Sequence, residues 1–500
     1  MIKRSTILIG IISAAYIALR LWRLTDSCLW FDEIFSVHAA EHPWNSLFWF
    51  VAQDLIHPPF FYATLKLWIG IGGESVLWLR LLPVLFSVVA LIPFLYLCRE
   101  LKLKTPTTLL ALLFFTVNGS LIKYAQEVRM YSFLLCLSLF SIWLFARFFY
   151  RGKNIWLLTL INIFLVYTHY FGWLVIVSEV AVILILQRVK IRHVLIMLGI
   201  ALVSFAPWIF VIIKAANVGA DLQQNIGWIA RPGFRSVFDL VFDLIEPFYF
   251  QQSSIDDSTK WFITLPILAI IGAAKLIYLV NWKRQVEWDR FWILALITAI
   301  PISFTLALSW ILPVSVWGSR HLVILYVPVV IVAAIYITEI AIKPLKYILV
   351  SGILLLTTAA FVLQVVTEQP KFIWCAWEEL ARDIPADQPQ PVYVFEDLVA
   401  YHLWFATRKA VNINIIKVES VPEMIEDKAY FLPRGFDGVK RTNAEGMNGE
   451  HFWIAFRDMK WNEKHPPLNI LAEKGYSLSE PTSLTAGGVN AYFVKVVKKR

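Results

Sequence analysis

Residues 291–312 read FWILALITAIPISFTLALSWIL, 22 consecutive positions without a charge. At about 1.5 Å of rise per residue, a helix of this length crosses a hydrocarbon core of roughly 30 Å. A basic cluster, Lys283–Arg290, stands directly before it. Short loops rich in Lys and Arg stay on the cytoplasmic side of a membrane, so the run is oriented as well as identified.

Outward from this run the same alternation covers most of the chain. Basic clusters at Lys3–Arg4, Arg99–Lys104, Arg151–Lys153, Arg188–Arg192, Lys283–Arg290 and Lys343–Lys346 mark inner loops, and the intervals hold spans and outer loops. About eleven spans follow, near 5–24, 76–97, 106–122, 131–150, 155–168, 171–187, 194–213, 261–281, 291–312, 322–342 and 346–366. Residues 155–187 must hold two short spans joined at Thr168–Tyr170, since a single one would put Arg188, Lys190 and Arg192 outside. The start resembles a signal sequence, but no small-residue cleavage site ends it, so it reads as an uncleaved first span. The N-terminus is then cytoplasmic and the C-terminal tail extracytoplasmic.

Composition agrees. The 500 residues are 59% hydrophobic and 16% charged, with a mean hydropathy of +0.65. Soluble domains are about half apolar and a quarter charged. From Thr367 onward there are 17 Lys and Arg against 18 Asp and Glu; the totals of 45 and 36 leave 28 against 18 before it. The basic excess therefore belongs to loops beside a bilayer and requires no nucleic-acid partner. The four cysteines, Cys28, Cys98, Cys136 and Cys375, fit no zinc spacing. Cys28 and Cys375 could both face outward, which leaves a disulfide open.

Three outer segments exceed what a connection needs: Thr25–Ser75, Ala215–Lys260 and the tail. The first is dense in Trp, Phe, His and Pro and suits short interfacial helices. In the tail, Val392–Phe395, Val411–Ile416, Phe452–Phe456 and Ala491–Val497 read as strands, and Asp397–Thr407 and Leu468–Lys474 as helices. The expected architecture is an α-helical polytopic membrane domain over 1–366 and a soluble α/β domain over 367–500.

The unusual polar residues fall on the outer side. Asp32 and Glu33 sit among aromatics in Leu29-Trp30-Phe31-Asp32-Glu33-Ile34-Phe35. Such a pair could accept a proton from an attacking hydroxyl, or simply be solvated acids opening a helix. His57, in His57-Pro58-Pro59, could bind phosphate or be a plain loop residue. The loop Tyr124-Ala125-Gln126-Glu127-Val128-Arg129-Met130-Tyr131 puts Glu127 and Arg129 at membrane depth, as a salt bridge or as functional charges. His169, in Thr168-His169-Tyr170, and Arg320 and His321, in Ser319-Arg320-His321, lie at outer turns, and Arg80 lies near the outer end of the second span. A cation there either holds a lipid phosphate or snorkels. The motif search finds no phosphate-binding glycine loop, nucleophile elbow or zinc motif.

An Asp-Glu pair after the first span, then His-Pro-Pro, Gln-Glu-x-Arg-x-Tyr, and Ser-Arg-His before a late span resemble the dolichyl-phosphate-mannose protein mannosyltransferases. The bacterial relatives of that family include the aminoarabinose transferase of lipid A. The resemblance covers residues 1–340 and is strongest over 26–131. It implies the GT-C fold and an inverting transfer of a hexosyl or pentosyl unit from a polyprenyl-phosphate-linked sugar to a lipid, glycan or protein acceptor. Asp32 would contact the acceptor and act as base, and Glu127 would match the acid of the second outer loop. Arg129 and Arg320 would meet the lipid phosphate, with His57 as a binding residue. The tail departs from the eukaryotic mannosyltransferases, which weakens the case for a protein acceptor. No cofactor is required by such chemistry, since polyprenyl phosphate is a good leaving group. A divalent cation shared by Asp32, Glu33 and Glu127 is compatible with it.

Two rival classes remain. A transporter or flippase of lipid-linked sugar would show charges near span centres, where Lys275 and Glu339, near inner span ends, are the main candidates. A scaffold for envelope glycan assembly would use the tail to bind a partner.

Overall fold

The computed structural model describes residues 4–220, 222–248, 259–280, 288–368, 372–384, 390–407, 411–416, 439–442, 446–458, 460–461, 466–486 and 488–499. The basic cluster Lys283–Arg290 falls largely outside the described residues, as does part of the loop 215–260. The chain forms two compact units, one of residues 1–24 and 39–368, the other of 25–38 and 369–500.

The first unit is a bundle. Among the described residues eight helices are long and apolar enough to cross a membrane, Arg4–Leu21, Val76–Glu100, Tyr131–Arg151, Arg188–Asn217, Lys260–Val280, Asp289–Ile311, His321–Thr338 and Lys343–Val366. Shorter apolar helices are Phe60–Gly72, Thr105–Val117, Ile155–Thr168 and Gly172–Leu186. Residues 155–187 do form two helices, broken where His169 adopts an extended backbone. The expected span 106–122 is shorter than its apolar run. Asn118 leaves the helical conformation and its side chain accepts from the Leu121 amide, which starts a new helix, Gly119–Gln126. Within the first outer segment, Phe60–Gly72 is an apolar helix ended by Gly73 at φ 80°.

Burial orders the bundle. In Tyr131–Arg151 and His321–Thr338, 83% of the apolar window is buried, against 11% in Arg4–Leu21 and 17% in Lys343–Val366. The first two are the centre, and the last two turn most of their side chains outward. At one end Lys104 pairs with Glu339 and Arg151 with Glu100 at 2.6 Å. Arg151 and Glu339 close the same helices that open at Tyr131 and His321.

Among the described Asp, Glu, Lys and Arg side chains of this unit, Arg20 and Glu179 are the two with no exposed surface. Arg20 is fully buried, over the Tyr16 ring at 3.4 Å, and donates to the Thr116 and Phe115 carbonyls at 2.6 and 3.0 Å. Those carbonyls belong to the last turn of Thr105–Val117, which has no intrahelical donors left for them. Glu179 sits in the middle of Gly172–Leu186, where the sequence reading had found no mid-span charge. Its carboxyl meets Ser141 Oγ at 2.6 Å and accepts from Asn162 Nδ2 at 2.9 Å.

The second unit is α/β. Its sheet runs β3-β2-β1-β4-β7-β5 with β6 on β7, where β1 is Val392–Val394, β2 Ile413–Ile416, β3 Val439–Thr442, β4 His451–Asp458, β5 Tyr476–Leu478, β6 Thr482–Ala486 and β7 Val489–Lys498. β1 pairs in parallel with β2 and β4, and β7 runs antiparallel to β4. The central strands are apolar on both faces, as strands covered on both sides must be. Helix Asp397–Ala406 follows β1, and Pro466–Glu473 precedes β5. Segment 25–38, part of the first outer segment, belongs to this unit and is joined to it by a disulfide, Cys28–Cys375, with a Cα–Cα distance of 5.3 Å.

Candidate functional site

The bundle gathers three histidines at the end opposite its paired basic residues. His57 Nδ1 donates to Asp54 Oδ2 at 3.0 Å. Pro58 and Pro59 then deny the chain helical amides until Phe60, so His57 is held at the mouth of the Phe60–Gly72 helix. The His57 ring stands edge-on to His169, with centroids 5.5 Å apart. His169 Nδ1 accepts from the Phe171 amide at 3.1 Å, which puts the proton of a neutral ring on Nε2. That Nε2–H donates to His321 Nδ1 at 3.2 Å. A Cβ on Gly318 would lie 2.8 Å from His321 Cδ2, so a glycine there lets the Ser319-Arg320-His321 turn fold against the ring.

Cations surround this row. Burial, the His57 ring and the guanidinium groups of Arg129 and Arg320 push His169 well below its usual range. His169 is thus neutral at physiological pH, while the positive charge resides on the two arginines, which do not titrate. Arg129 is buried, and the Arg320 guanidinium lies 5.7 Å from the Trp228 ring. Neutral N–H donors beside permanent cations in a largely dry place favour an anion.

Next to the histidines is a set of acids and hydroxyls. Glu127 is buried, 3.7 Å from Lys123 Nζ. Ser319 hydrogen-bonds both Tyr124 and Asp243. Burial pushes Asp243 up to about 6, against the pull of Ser319 and Lys260. Asp243 and Asp54 were missed from sequence; each is a single acid in a long loop with no motif around it.

Arg80 and Gln126 do something different. Arg80 is buried and donates to the Leu24 carbonyl at 2.9 Å. Gln126 Nε2 donates to the carbonyls of Arg20 and Trp22 at 3.1 and 2.8 Å. Together they satisfy the open carbonyls where the first helix ends. The Arg80 contact is buried rather than snorkelling.

Asp32 and Glu33 lie in the second unit, in the first turn of helix Phe31–Glu41. Glu33 is fully buried and its Oε2 accepts from the Trp30 amide at 3.1 Å, the position of a capping acid. Asp32 is only partly buried. Of the two, Asp32 is the more open to an acceptor. Among the described residues no group of three or more His, Cys, Asp and Glu side chains is placed to hold a metal ion.

No family model and no curated protein matches the chain. Solved structures do. ArnT from Cupriavidus metallidurans, bound to undecaprenyl phosphate, superposes with a TM-score of 0.61 at 11% identity, over 97% of each chain. The same enzyme in the apo state gives 0.62 at 10%, over 99% of this chain and 98% of that one. The Archaeoglobus fulgidus oligosaccharyltransferase, in complex with Zn and sulfate, gives 0.51 at 13%, over 97% of this chain and 72% of that one. The chain thus has the GT-C fold.

Proposed function

We propose that this integral membrane protein is a glycosyltransferase that moves a sugar from a polyprenyl-phosphate carrier to an acceptor hydroxyl on the extracytoplasmic face, with inversion. The observation that carries the reading is the buried row His57–His169–His321 beside Arg129 and Arg320. It occurs in a fold shared with an enzyme solved on undecaprenyl phosphate. Arg129 and Arg320 would hold the donor phosphate, and His321, whose Nδ1 is occupied by the His169 Nε2–H, would orient it through its own Nε2–H, with His169 fixing the His321 ring. Asp32 would take the acceptor proton as the acceptor oxygen bonds to the anomeric carbon. The bond from that carbon to the phosphate oxygen breaks, and its electron pair leaves on the polyprenyl phosphate. Glu33 would fix the Asp32 turn, and Glu127 would line the donor side.

The scheme takes a lipid, glycan or protein acceptor alike, since the chemistry asks only for a hydroxyl. No step uses a metal ion. The N-terminus would be cytoplasmic, and residues 367–500 would form the extracytoplasmic domain. A disulfide in the second unit suits that side, where thiols oxidise.

The test uses lipid extracts of a strain lacking this chain as donor, since unused donor accumulates there. Asp32→Asn is expected to lower transfer by about 10²–10⁴-fold at unchanged protein level. Normal transfer by that variant would refute the base assignment, and absence of an accumulated sugar lipid would refute the donor class.

A further inference from the structure

The second unit is not assembled from the tail alone. It takes in the short segment 25–38, which carries the Asp32–Glu33 turn. Three ties join this segment to the tail, and they bracket the acids. Before them, Cys28 is bonded to Cys375, and its amide lies 3.3 Å from the Cys375 sulfur. Adjacent to them, the Phe31 ring packs on Tyr401 at 5.5 Å. After them, His38 stands edge-on to Trp404 at 5.2 Å and 89°.

The receiving side is rigid. Tyr401 and Trp404 are three residues apart on helix Asp397–Ala406, and so share a face. The Tyr401 hydroxyl donates to Asp397 Oδ2 at 2.9 Å, and Arg441 of β3 reaches the same oxygen at 3.2 Å. The helix is thereby fixed to the sheet. A docking surface for an external partner would not need a covalent bond to the chain's own acid-bearing turn.

We infer that the α/β unit is a positioning element, which sets the orientation of the Asp32–Glu33 turn through the Cys28–Cys375 bond and the Tyr401 and Trp404 rings. This rests on the proposed role of Asp32 as base. Positioning residues act on the chemical step, so loosening them lowers turnover and leaves donor affinity alone.

The experiment takes full-length protein in native membranes and the donor extract described above. Folded wild-type protein is reduced, assayed and reoxidised, and Cys28→Ser with Cys375→Ser, Tyr401→Ala and Asp32→Asn are assayed alongside. Undecaprenyl phosphate serves as the binding probe. Reduction is expected to lower kcat tenfold or more and to change KM for donor and the affinity for undecaprenyl phosphate less than twofold. Reoxidation should restore kcat in the wild type and not in the double variant. Tyr401→Ala should lower kcat in the same sense. If reduced wild-type protein keeps its kcat while Asp32→Asn loses transfer, the positioning role is wrong and the base survives. Full transfer by Asp32→Asn overturns the base, and the positioning role with it. A parallel loss of kcat and of undecaprenyl phosphate binding on reduction would also overturn the inference, because it marks general unfolding.

Discussion

At the scale of single residues, His169 shows what the sequence could and could not reveal. His57, His169 and His321 are each visible as polar residues at outer turns. Their alignment is not visible, because it depends on the Phe171 amide choosing the tautomer of His169 and on the space left by Gly318. The two arginines are legible through their motifs, and their joint effect on His169 is not. Arg129→Gln should lower transfer by about 10²-fold, as loss of one preorganised charge contact does. Arg129→Lys should restore only part of it, since a lysine lacks the planar fork. Steady-state kinetics on the donor extract would decide, and a lysine variant at wild-type kcat/KM would remove the fork from the account.

Two further titrating groups oppose each other in stability. Burial, aided by Arg457, pushes His402 down to about 4 from 6.5, although the Leu398 carbonyl pulls the other way. The unfolded chain therefore binds a proton that the folded chain refuses, and stability is lost as pH falls from about 6.5 towards 4. At about 1.4 kcal/mol per pH unit, the full window is worth about 3 kcal/mol. Asp243, raised to about 6 from 3.8, works in reverse, losing stability as pH rises between those values. Thermal unfolding of the wild type and His402→Gln between pH 4 and 7 separates them. The variant should lose the acid-side decline in the second unit, and an unchanged profile would contradict the assignment.

At the scale of elements, the apolar runs told the helices well because length and the absence of charge are local properties. They told the helix ends less well. The run through residue 122 conceals the break at Asn118, which depends on a side chain bonding across to another loop. Asn118 Nδ2 donates to the carbonyls of Asp243 and Leu244 at 3.1 and 3.2 Å, and the Gly119 amide to that of Glu246 at 2.9 Å. Asn118→Ala should therefore cost about 2–3 kcal/mol, the lost cap plus orphaned carbonyls. In the tail, the central strands were legible as apolar runs. The short strands Val439–Thr442, Tyr476–Leu478 and Thr482–Ala486 were not, because they are only partly buried and carry polar residues. Glu179 was missed because a single acid scarcely lowers the hydropathy of its helix. Glu179→Gln keeps the shape and the hydrogen-bonding groups, and should leave stability nearly unchanged. Glu179→Leu strands Ser141 and Asn162 in the bundle, and should cost about 2–4 kcal/mol. Detergent-solubilised thermal melts of both variants measure the difference.

At the scale of the molecule, composition changes near residue 367, whereas no change in composition marks the capture of residues 25–38 by the far unit. The sequence left a Cys28–Cys375 bond open and no more, because nothing local marks a pairing between positions 347 apart. The pairing nevertheless gives a whole-molecule test of orientation. Cys28 and Cys375 are bonded, while Cys98 and Cys136 are free and buried. If the second unit faces outward, a membrane-impermeant phosphine applied to intact cells should open the bond. A charged maleimide added next should then label Cys28 and Cys375. Cys98 and Cys136 should stay unlabelled until the protein is denatured, because the helices shield them from both faces. Labelling that requires permeabilised cells would place the second unit inside and refute the extracytoplasmic domain proposed above. Labelling without any reductant would mean that the bond is open in the cell, and the acid-bearing turn would then lack its covalent tie to the tail.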